Sequence, residues 1–264
     1  IETINDMDGE IVNLFRCIRE EPEELMRCVT MTPYSRAEYE QVWGKFRFRA
    51  GVPSVGVEAA RMTLVRYWQS HGSTSVYKGG WKNDRAGREY AYDMRYWRQL
   101  PEWIAAAATR LKDAQIEQAP AVDVIRRFQH PEVLIYADPP YLEAERMYAP
   151  SFDLRDHVRL HDCLCAPAAR DSHIVLSYNS HPDILDLFAP DFYIVGFDRP
   201  NPMARQEDAR YHELLMTNFD PGPMLNRQLS LLDNPGLESS DRPELRILSV
   251  PTGRLPRVWD WPQD

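Results

Sequence analysis

The sequence predicts an α/β protein whose sheet is mostly parallel, with one antiparallel strand near the end. Short apolar runs such as Val133–Ala137 are typical of buried strands in parallel sheets, and they alternate with segments of helical periodicity. An acidic residue follows two of the predicted strands, Asp6 after Ile1–Ile4 and Asp138 after Val133–Ala137. Because ligands of open α/β sheets bind at the carboxyl ends of strands, both carboxylates are candidate site residues.

Composition limits the classes of protein that need to be considered. The 264 residues carry a net charge of −9, yet residues 41–98 hold 11 Lys/Arg against 4 Asp/Glu, so that stretch is +7 and the rest is −16. This asymmetry predicts one phosphate-binding face, with an ordinary solvated surface as the alternative. No apolar stretch approaches the roughly 20 residues of a membrane span, and no secretory signal opens the chain. The four cysteines lack metal or disulfide spacing, which indicates reduced thiols in a cytosolic protein.

The chain opens with a predicted strand, a turn and a helix. Asp8 is the expected N-cap of the helix, and Asp6 lies between strand and helix, where nucleoside-binding α/β folds hydrogen-bond ribose hydroxyls. Simple capping is the alternative for both residues. Further helices are expected to begin at Pro22 and, with capping-box spacing, at Ser35. A later helix, Met94–Leu111, is expected to be interrupted at its proline.

A segment rich in basic and aromatic residues lies within the positive stretch. Between Ser70 and Tyr92 it shows little regular period, and basic groups there could contact phosphates while rings stack or wedge. A mobile surface loop is the alternative. The candidate DNA-binding residues of this segment are Lys78, Lys82, Arg85, Arg88 and Tyr90.

The four residues Asp138-Pro139-Pro140-Tyr141 are the most informative motif of the chain. Two prolines end the strand, so an acid and a ring stand on stiff backbone at its carboxyl end. The Asp138 side chain and the Pro139 carbonyl could accept the two hydrogens of an exocyclic amine, which directs the nitrogen lone pair at an incoming methyl group. Tyr141 offers a face on which an extruded base can stack. A strand-ending turn with no ligand is the alternative.

The second half of the chain alternates helices and strands. Helices are expected over 121–128, 153–164 and 181–188, and strands over 173–178, 192–197 and 213–219. His157 and His161 have the i, i+4 spacing of helical zinc ligands, but because no third ligand is evident, no metal is expected. Asn179 and Arg205 fall in predicted loops after strands and are further DNA-binding candidates.

Residues 220–264 are proline-rich and predict a C-terminal tail. Within it, the residues Gln228, Leu229, Leu231 and Leu232 resemble the short peptide with which bacterial proteins dock on the DNA sliding clamp. Leucines packing on their own domain are the alternative.

Order and spacing together resemble the Asp-Pro-Pro-Tyr class of DNA adenine-N6 methyltransferases over residues 1–219. The resemblance rests on Ile4–Asp8, Thr32–Ser35, the basic insert, Ala121–Ile125, Tyr136–Tyr141, Leu176–Ser180 and Glu213–Leu215. It implies a Rossmann-like sheet in a catalytic domain formed by residues 1–40 and 99–219. It also implies a largely helical target-recognition insert over residues 41–98, and the tail over residues 220–264.

The resemblance further implies the roles of the site residues. S-adenosylmethionine would be the cofactor, held by Asp6, Met7 and Asp138, and double-stranded DNA the substrate, in restriction–modification. Asp138 and Pro139 would accept from the target amine, and Tyr141 would stack on the flipped adenine.

Two departures from the family pattern bear on these expectations. The family's first strand and its Phe-x-Gly-x-Gly cofactor loop have no counterpart in this sequence, so the expected sheet lacks its first strand. Either that segment was cut or is supplied by another chain, or the protein is a non-catalytic relative. Ala119-Pro120 stands where the family usually has an Asp that reaches the cofactor's adenine. The alternatives are a non-catalytic DNA-binding relative, or methylation of RNA, of another amine or of cytosine N4.

Overall fold

The computed structural model describes residues 1–48, 55–71, 78–83, 92–142, 152–166, 169, 171–200, 210–222 and 246–251. They divide into two compact units, residues 1–121 and the described chain from residue 122 onward, each with its own hydrophobic core. Helices and parallel strands occur in both, so the prediction of a mixed α/β protein is confirmed. Within these ranges, no helix has both the length and the apolar character needed to cross a bilayer.

The first unit combines helices with two pairs of short strands. Its elements are β1 (Glu2–Asn5), α1 (Gly9–Glu20), α2 (Pro22–Met31), α3 (Arg36–Phe48), α4 (Val57–Trp68), β2 (Ser70–His71), β3 (Gly80–Trp81), α5 (Tyr92–Leu111) and β4 (Ala114–Glu117). Strands β1 and β4 run parallel, and β2 and β3 run antiparallel. The core is formed mainly by apolar side chains of α2–α5, including Leu25, Val29, Tyr39, Val42, Trp43, Ala60, Val65, Trp97, Leu100 and Ile104.

Local signals set the helix starts of this unit. The Asp8 side chain accepts a hydrogen bond of 2.8 Å from the backbone N–H of Glu10, so the predicted N-cap of α1 is confirmed. Pro22 stands at the first turn of α2, and the Ser35 hydroxyl accepts from the backbone of Glu38 at 3.1 Å. These starts follow from the chemistry of a few neighbouring residues, which is why the sequence alone could predict them.

Two helices cross the bounds expected for the recognition insert. Helix α3 runs through position 40/41 and α5 through position 98/99, and both contribute to the same core as α1 and α2. The expected break of α5 at Pro101 was wrong, because the helix is continuous through it. Buried side chains on both sides of the proline, Trp97 and Ile104 among them, hold the helix in place despite the missing N–H. The insert itself stays a prediction.

The second unit contains a five-stranded sheet covered by helices. Its elements are α6 (Ala121–Arg127), β5 (Leu134–Ala137), α7 (Leu154–Cys165), β6 (His173–Asn179), α8 (Pro182–Phe188), β7 (Tyr193–Pro200), β8 (Arg210–Thr217) and β9 (Arg246–Ser249). The strand order is β5-β6-β8-β7-β9. Strands β5 and β6 are parallel, and β8 is antiparallel to both of its neighbours. Strand β9 is antiparallel to β7 as well, so two strands of this sheet are reversed where the sequence predicted one.

The tail contributes a strand that the sequence analysis did not predict. Residues Arg246–Ser249 form β9, which pairs antiparallel with β7 and makes one edge of the sheet. The proline-rich composition around it hid this short strand. Within the described residues, none of the four cysteines forms a disulfide bond.

Strand β5 is buried on one face only, which corrects the expectation of a fully buried strand. Ile135 is 9% exposed, but Leu134 and Tyr136 are 57% and 63% exposed. Strand β5 is the other edge of the sheet and hydrogen-bonds to β6 alone among the described residues. An apolar run predicts a strand but does not report how many of its faces are covered.

Candidate active site

The Asp-Pro-Pro-Tyr motif lies at the carboxyl end of β5, as the sequence predicted. Asp138 is exposed, and the two prolines and Tyr141 are half-buried. The ladder with β6 ends where Ala137 pairs with Leu176, because the prolines that follow Asp138 cannot donate to it. The carboxylate and the tyrosine ring are therefore both accessible to a ligand, on backbone that the two prolines stiffen.

A hydrogen-bond chain orients the Asp138 carboxylate. The Ser177 hydroxyl on β6 donates to Asp138 Oδ1 at 2.8 Å, and Tyr136 Oη lies 3.0 Å from the same serine oxygen. A hydroxyl has one proton, so Ser177 gives its proton to Asp138 and accepts from Tyr136. This arrangement fixes one carboxylate oxygen. Because the carboxylate is planar, the direction of the other oxygen is set as well.

Aromatic rings form a wall behind Tyr141. Its ring centroid lies 6.3 Å from that of Tyr178, with 31° between the planes. Tyr178 is fully buried, and its hydroxyl lies 3.0 Å from Nδ1 of His157, which in turn packs edge-on against Phe152 at 4.7 Å. Burial raises the pKa of Tyr178 and lowers the pKa of His157. Both groups are therefore neutral near pH 7 and serve as a rigid support.

Asn179 is the last residue of β6 and lies two residues beyond Ser177, on the same face of the strand. Its Cα pairs with that of Glu213 on β8. The side chain is half-buried, and its Oδ1 has no hydrogen-bond partner among the described residues. A buried acceptor without a partner is costly, so a hydrogen-bond donor brought to this oxygen would stabilise it.

The predicted cofactor residues follow β1. Oδ1 of Asp6 accepts from the backbone N–H of Asp8 at 2.7 Å, which fixes the carboxylate at the start of α1. Burial raises the pKa of Asp6, and hydrogen bonds from the backbone partly oppose this. Met7 is 43% exposed and offers an apolar surface next to the carboxylate.

The segment after β4 is fastened to the end of β1. Asn5 donates from Nδ2 to the Ala119 carbonyl and accepts from the Ala119 N–H at Oδ1, both at 3.0 Å. Both backbone groups of Ala119 are thus occupied at the position where the family usually has an Asp. The Ala119 N–H is therefore not available to a cofactor base, which leaves packing and the second lone pair of the carbonyl at this position.

Negative charge gathers where α1 begins. Burial is the main reason that the pKa of Tyr67 is raised, to about 12. The nearby carboxylates Asp6, Asp8 and Glu10 raise it further, because they favour the neutral form of the tyrosine. Glu10 also holds Arg66, a 2% exposed residue of α4, at 2.6 Å. The Arg66 guanidinium lies 3.6 Å from the Phe46 ring centroid. This buried cation orients the first turn of α1.

The structure describes only some of the predicted DNA-binding residues. Lys78 forms an exposed ion pair with Glu40 and lies 5.6 Å from the ring centroid of Tyr39. The backbone of Lys82 donates to Gln69 at 2.9 Å. The remaining candidates lie outside the described residues: Arg85, Arg88, Tyr90, Arg205 and the clamp-like residues Gln228, Leu229, Leu231 and Leu232.

Sequence reasoning missed the supporting residues of the motif. Ser177, Tyr178 and Tyr136 were noted only as parts of matching stretches, and His157 only as a possible metal ligand. Their roles depend on the register that sets Tyr136 beside Val175 and brings the end of β5 next to Ser177. A hydroxyl residue at the end of the strand after the motif was the one available signal.

Comparison with known families identifies the class of protein. The family model for D12 class N6 adenine-specific DNA methyltransferases matches residues 2–195. The chain therefore belongs to this family and is an adenine-specific DNA methyltransferase. This assignment favours adenine N6 in DNA over the RNA, other-amine and cytosine alternatives.

A curated relative supports the same assignment. The chain is 22% identical over 232 residues to the type II methyltransferase M1.LlaDCHI of Lactococcus lactis subsp. cremoris. The alignment covers 82% of this chain and 78% of the relative. The similarity thus extends over most of both proteins.

Proposed function

We propose that the protein transfers a methyl group from S-adenosylmethionine to N6 of an adenine that has been flipped out of double-stranded DNA. The observation that carries this proposal is the exposed Asp138 carboxylate at the end of β5, held by the Ser177 hydroxyl at 2.8 Å. An acceptor that is both fixed and accessible is what recognition of an exocyclic amine requires.

Asp138 and the Pro139 carbonyl would accept the two N6 hydrogens. Adenine N6 is a poor nucleophile because its lone pair is delocalised into the ring. With both hydrogens held, the lone pair is directed out of the base plane, and the carboxylate stabilises the positive charge that builds on nitrogen. Ser177 acts through Asp138 as a positioning residue, because its hydrogen bond sets the direction of the carboxylate.

Tyr141 would stack on the flipped adenine. The ring is half-buried, so one part of it packs on the wall formed by Tyr178 while another part remains accessible. Base–aromatic stacking contributes roughly 1–3 kcal/mol per base, which offsets part of the cost of unstacking the adenine.

The residues after β1 fit the proposed cofactor. Asp6 is a fixed carboxylate that follows a strand. In nucleoside-binding α/β folds a carboxylate at this position hydrogen-bonds ribose hydroxyls, and Met7 beside it could pack against an adenine ring. The acidic start of α1 also suits a ligand with cationic groups. When bound, S-adenosylmethionine supplies the electrophilic methyl group on its sulfonium.

DNA would be held through the basic insert over residues 41–98. Lys78, Lys82, Arg85, Arg88 and Tyr90 are the proposed contacts there, with Arg205 and the unpaired Oδ1 of Asn179 as further ones. In the structure Lys78 is paired with Glu40, so it would exchange this carboxylate for a phosphate on binding.

We further propose that methylation is site-specific and belongs to restriction–modification. Support comes from the curated relative, which is named as a type II methyltransferase. Docking on a sliding clamp through Gln228, Leu229, Leu231 and Leu232 stays a prediction from the sequence, as does a cytosolic location.

One experiment tests the proposed reaction. The intact protein is incubated with unmethylated DNA and S-adenosylmethionine, and the product is sequenced for N6-methyladenine. Methylation at one recurring sequence is expected, with none from Asp138→Ala. If Asp138→Ala methylates as well as the parent, the proposed mechanism is wrong. Calorimetry with the cofactor alone identifies a non-catalytic relative, which would give no binding heat.

A further inference from the structure

A second cluster of side chains in the second unit has the composition of a metal site. His161 and Cys165 lie one turn apart on α7, and Asp191 lies in the turn after α8. Nε2 of His161 is 3.4 Å from Sγ of Cys165 and 3.4 Å from Oδ2 of Asp191. The three ligand atoms all lie within 4.8 Å of one another.

Two of these separations match those of ligands around one zinc ion. Bond lengths of about 2.0–2.1 Å to nitrogen or oxygen and about 2.3 Å to sulfur, at tetrahedral angles, separate ligand atoms by roughly 3.3–3.6 Å. The distances from Nε2 to the sulfur and to the carboxylate oxygen, both 3.4 Å, agree with this geometry. The sulfur and the carboxylate oxygen lie within 4.8 Å of each other and would both turn toward a bound ion.

Nε2 of His161 faces two potential metal ligands at once. With a proton, Nε2 can donate to the carboxylate of Asp191. With a lone pair, Nε2 faces the carboxylate oxygen at 3.4 Å, and a cation bound between them turns this repulsion into shared coordination.

Neighbouring residues already hold the histidine as metal sites require. Its Nδ1 lies 3.3 Å from Oδ1 of Asp162, and an N–H on Nδ1 that donates to this carboxylate would leave the lone pair on Nε2 for a metal ion. Phe188 and Phe192 pack against the ring, with centroids at 5.2 and 6.4 Å, and the imidazole side chain is only 13% exposed. The ring is therefore oriented by hydrogen bonding and by packing.

We propose that His161, Cys165 and Asp191 bind one divalent transition-metal ion, with Zn²⁺ as the best chemical match and water as the fourth ligand. Sulfur, imidazole and carboxylate in one site favour zinc over magnesium or calcium. Binding releases the thiol proton of Cys165 to solvent, and the thiolate and carboxylate then neutralise the charge of the ion. The site is separate from the methyl-transfer chemistry and ties the end of α7 to the turn that enters β7.

In the sequence, His161 has the i, i+4 spacing of helical zinc ligands with His157, and no third ligand for that pair is evident. The structure instead directs His157 to the Tyr178 hydroxyl, and Cys165 and Asp191 supply the ligands that the sequence comparison lacked. The i, i+4 spacing of His161 and Cys165 was visible in the sequence and was missed.

Cobalt titration of the metal-free full-length protein tests the proposal. Co²⁺ should give a thiolate charge-transfer band that saturates at one equivalent, and Zn²⁺ should abolish the band by displacement. Zinc affinity is then measured by competition with a chromogenic chelator. Cys165→Ser and His161→Leu should remove the band, and Asp162→Asn should weaken zinc binding by about 10- to 100-fold.

Cys28→Ser is the matched control. Cys28 also lies on a helix four residues from a side chain of a type that can bind metals, with its Sγ 3.5 Å from Oε1 of Glu24. Among the described residues, however, Cys28 belongs to no cluster that could hold a metal ion. This variant should keep the full cobalt band. Circular dichroism checks that each variant is folded, and Asp191→Asn serves as the mildest ligand change. Absence of a band in the parent, or a band that persists in folded Cys165→Ser, would overturn the proposal.

Discussion

Ser177 donates a hydrogen bond of 2.8 Å to Asp138 across the parallel pair of β6 and β5. The serine is half-buried and the aspartate exposed, so the hydrogen bond ties an accessible carboxylate to an ordered strand. Tyr136 completes the chain on the same face of the sheet. The acceptor of the proposed reaction is thus oriented by two residues that need not touch the substrate.

Ser177→Ala should lower kcat about tenfold while leaving cofactor affinity unchanged. Hydrogen bonds to charged groups contribute roughly 1.5–3 kcal/mol, the exposure of Asp138 places this one at the lower end, and about 1.4 kcal/mol is a factor of ten in rate. Single-turnover methylation and calorimetry with the cofactor measure the two quantities. Tyr136→Phe, which keeps the serine, should show a smaller loss. An unaltered kcat in Ser177→Ala would rule out the positioning role.

Tyr141→Ala should weaken binding of the flipped base by roughly 1–3 kcal/mol, because the stacking surface is lost. Tyr141→Phe keeps the ring and should retain most activity. A fluorescent adenine analogue at the target position reports flipping directly, through the change in its emission on leaving the stack. Equal flipping by the alanine and phenylalanine variants would show that the ring does not stack on the base.

Asp6→Asn should stabilise the protein near neutral pH and weaken cofactor binding. Burial raises the folded pKa of Asp6 above its ordinary 3.8, so the stability from this group is fully present below that value. It is lost as pH rises through the raised folded pKa, where the buried carboxylate must ionise. Asparagine carries no charge and keeps an oxygen for the Asp8 N–H.

Urea unfolding at about pH 7 and again near pH 4 checks the stability part, because the advantage of the asparagine should shrink in acid. Calorimetry with S-adenosylmethionine checks the binding part. Parent-like cofactor affinity in Asp6→Asn would remove Asp6 from the cofactor site.

Lys78→Gln should reduce the slope of log K against log salt for DNA binding by about 0.9, the value for one phosphate contact. Glu40→Gln should raise the affinity for DNA, because it removes the carboxylate that competes with a phosphate for Lys78. Lys112→Gln, an exposed lysine outside the basic segment, is the control and should leave the slope unchanged. Identical slopes in the parent and Lys78→Gln would exclude a phosphate contact.

The protein should lose stability in mild acid partly through His157. Burial lowers the folded pKa of His157 below its ordinary 6.5, so the unfolded state takes up a proton first. The stability from this group is complete above pH 6.5 and declines as pH falls towards the lowered folded pKa. Urea midpoints between about pH 7 and pH 5 measure the decline.

His157→Gln removes this titration. It should cost about 1 kcal/mol near pH 7 through the altered hydrogen bond to Tyr178, and its acid dependence should be flatter than that of the parent. Burial also lowers the pKa of His173, so His173→Gln serves as the comparison variant. An equally steep decline in His157→Gln would assign the effect to other groups.

The sequence predicted what short-range chemistry determines. Asp8, Pro22 and Ser35 start helices through contacts with residues two or three positions away. The end of β5 at Asp138 follows from two prolines in the same way. Family resemblance added roles for these residues that periodicity could not supply.

Long-range pairing decided the features that the sequence missed. The contact of Ser177 with Asp138 depends on strand register, and the clamp of Asn5 on Ala119 joins residues at opposite ends of the first unit's chain. Exposure of Leu134 and Tyr136 depends on what covers each face of β5, which an apolar run does not encode. Strand β9 depends on an available edge of the sheet.

Helix α7 contributes to two clusters on successive turns. His157 supports the aromatic wall behind Tyr141, and His161, one turn further along, belongs to the cluster with Asp191. Oxidation of Cys165, or loss of a metal ion from its cluster, would loosen the C-terminal end of the same helix that carries His157. Preparations of this enzyme that differ only in their handling of thiols and chelators would then differ in the thermal stability of the second unit.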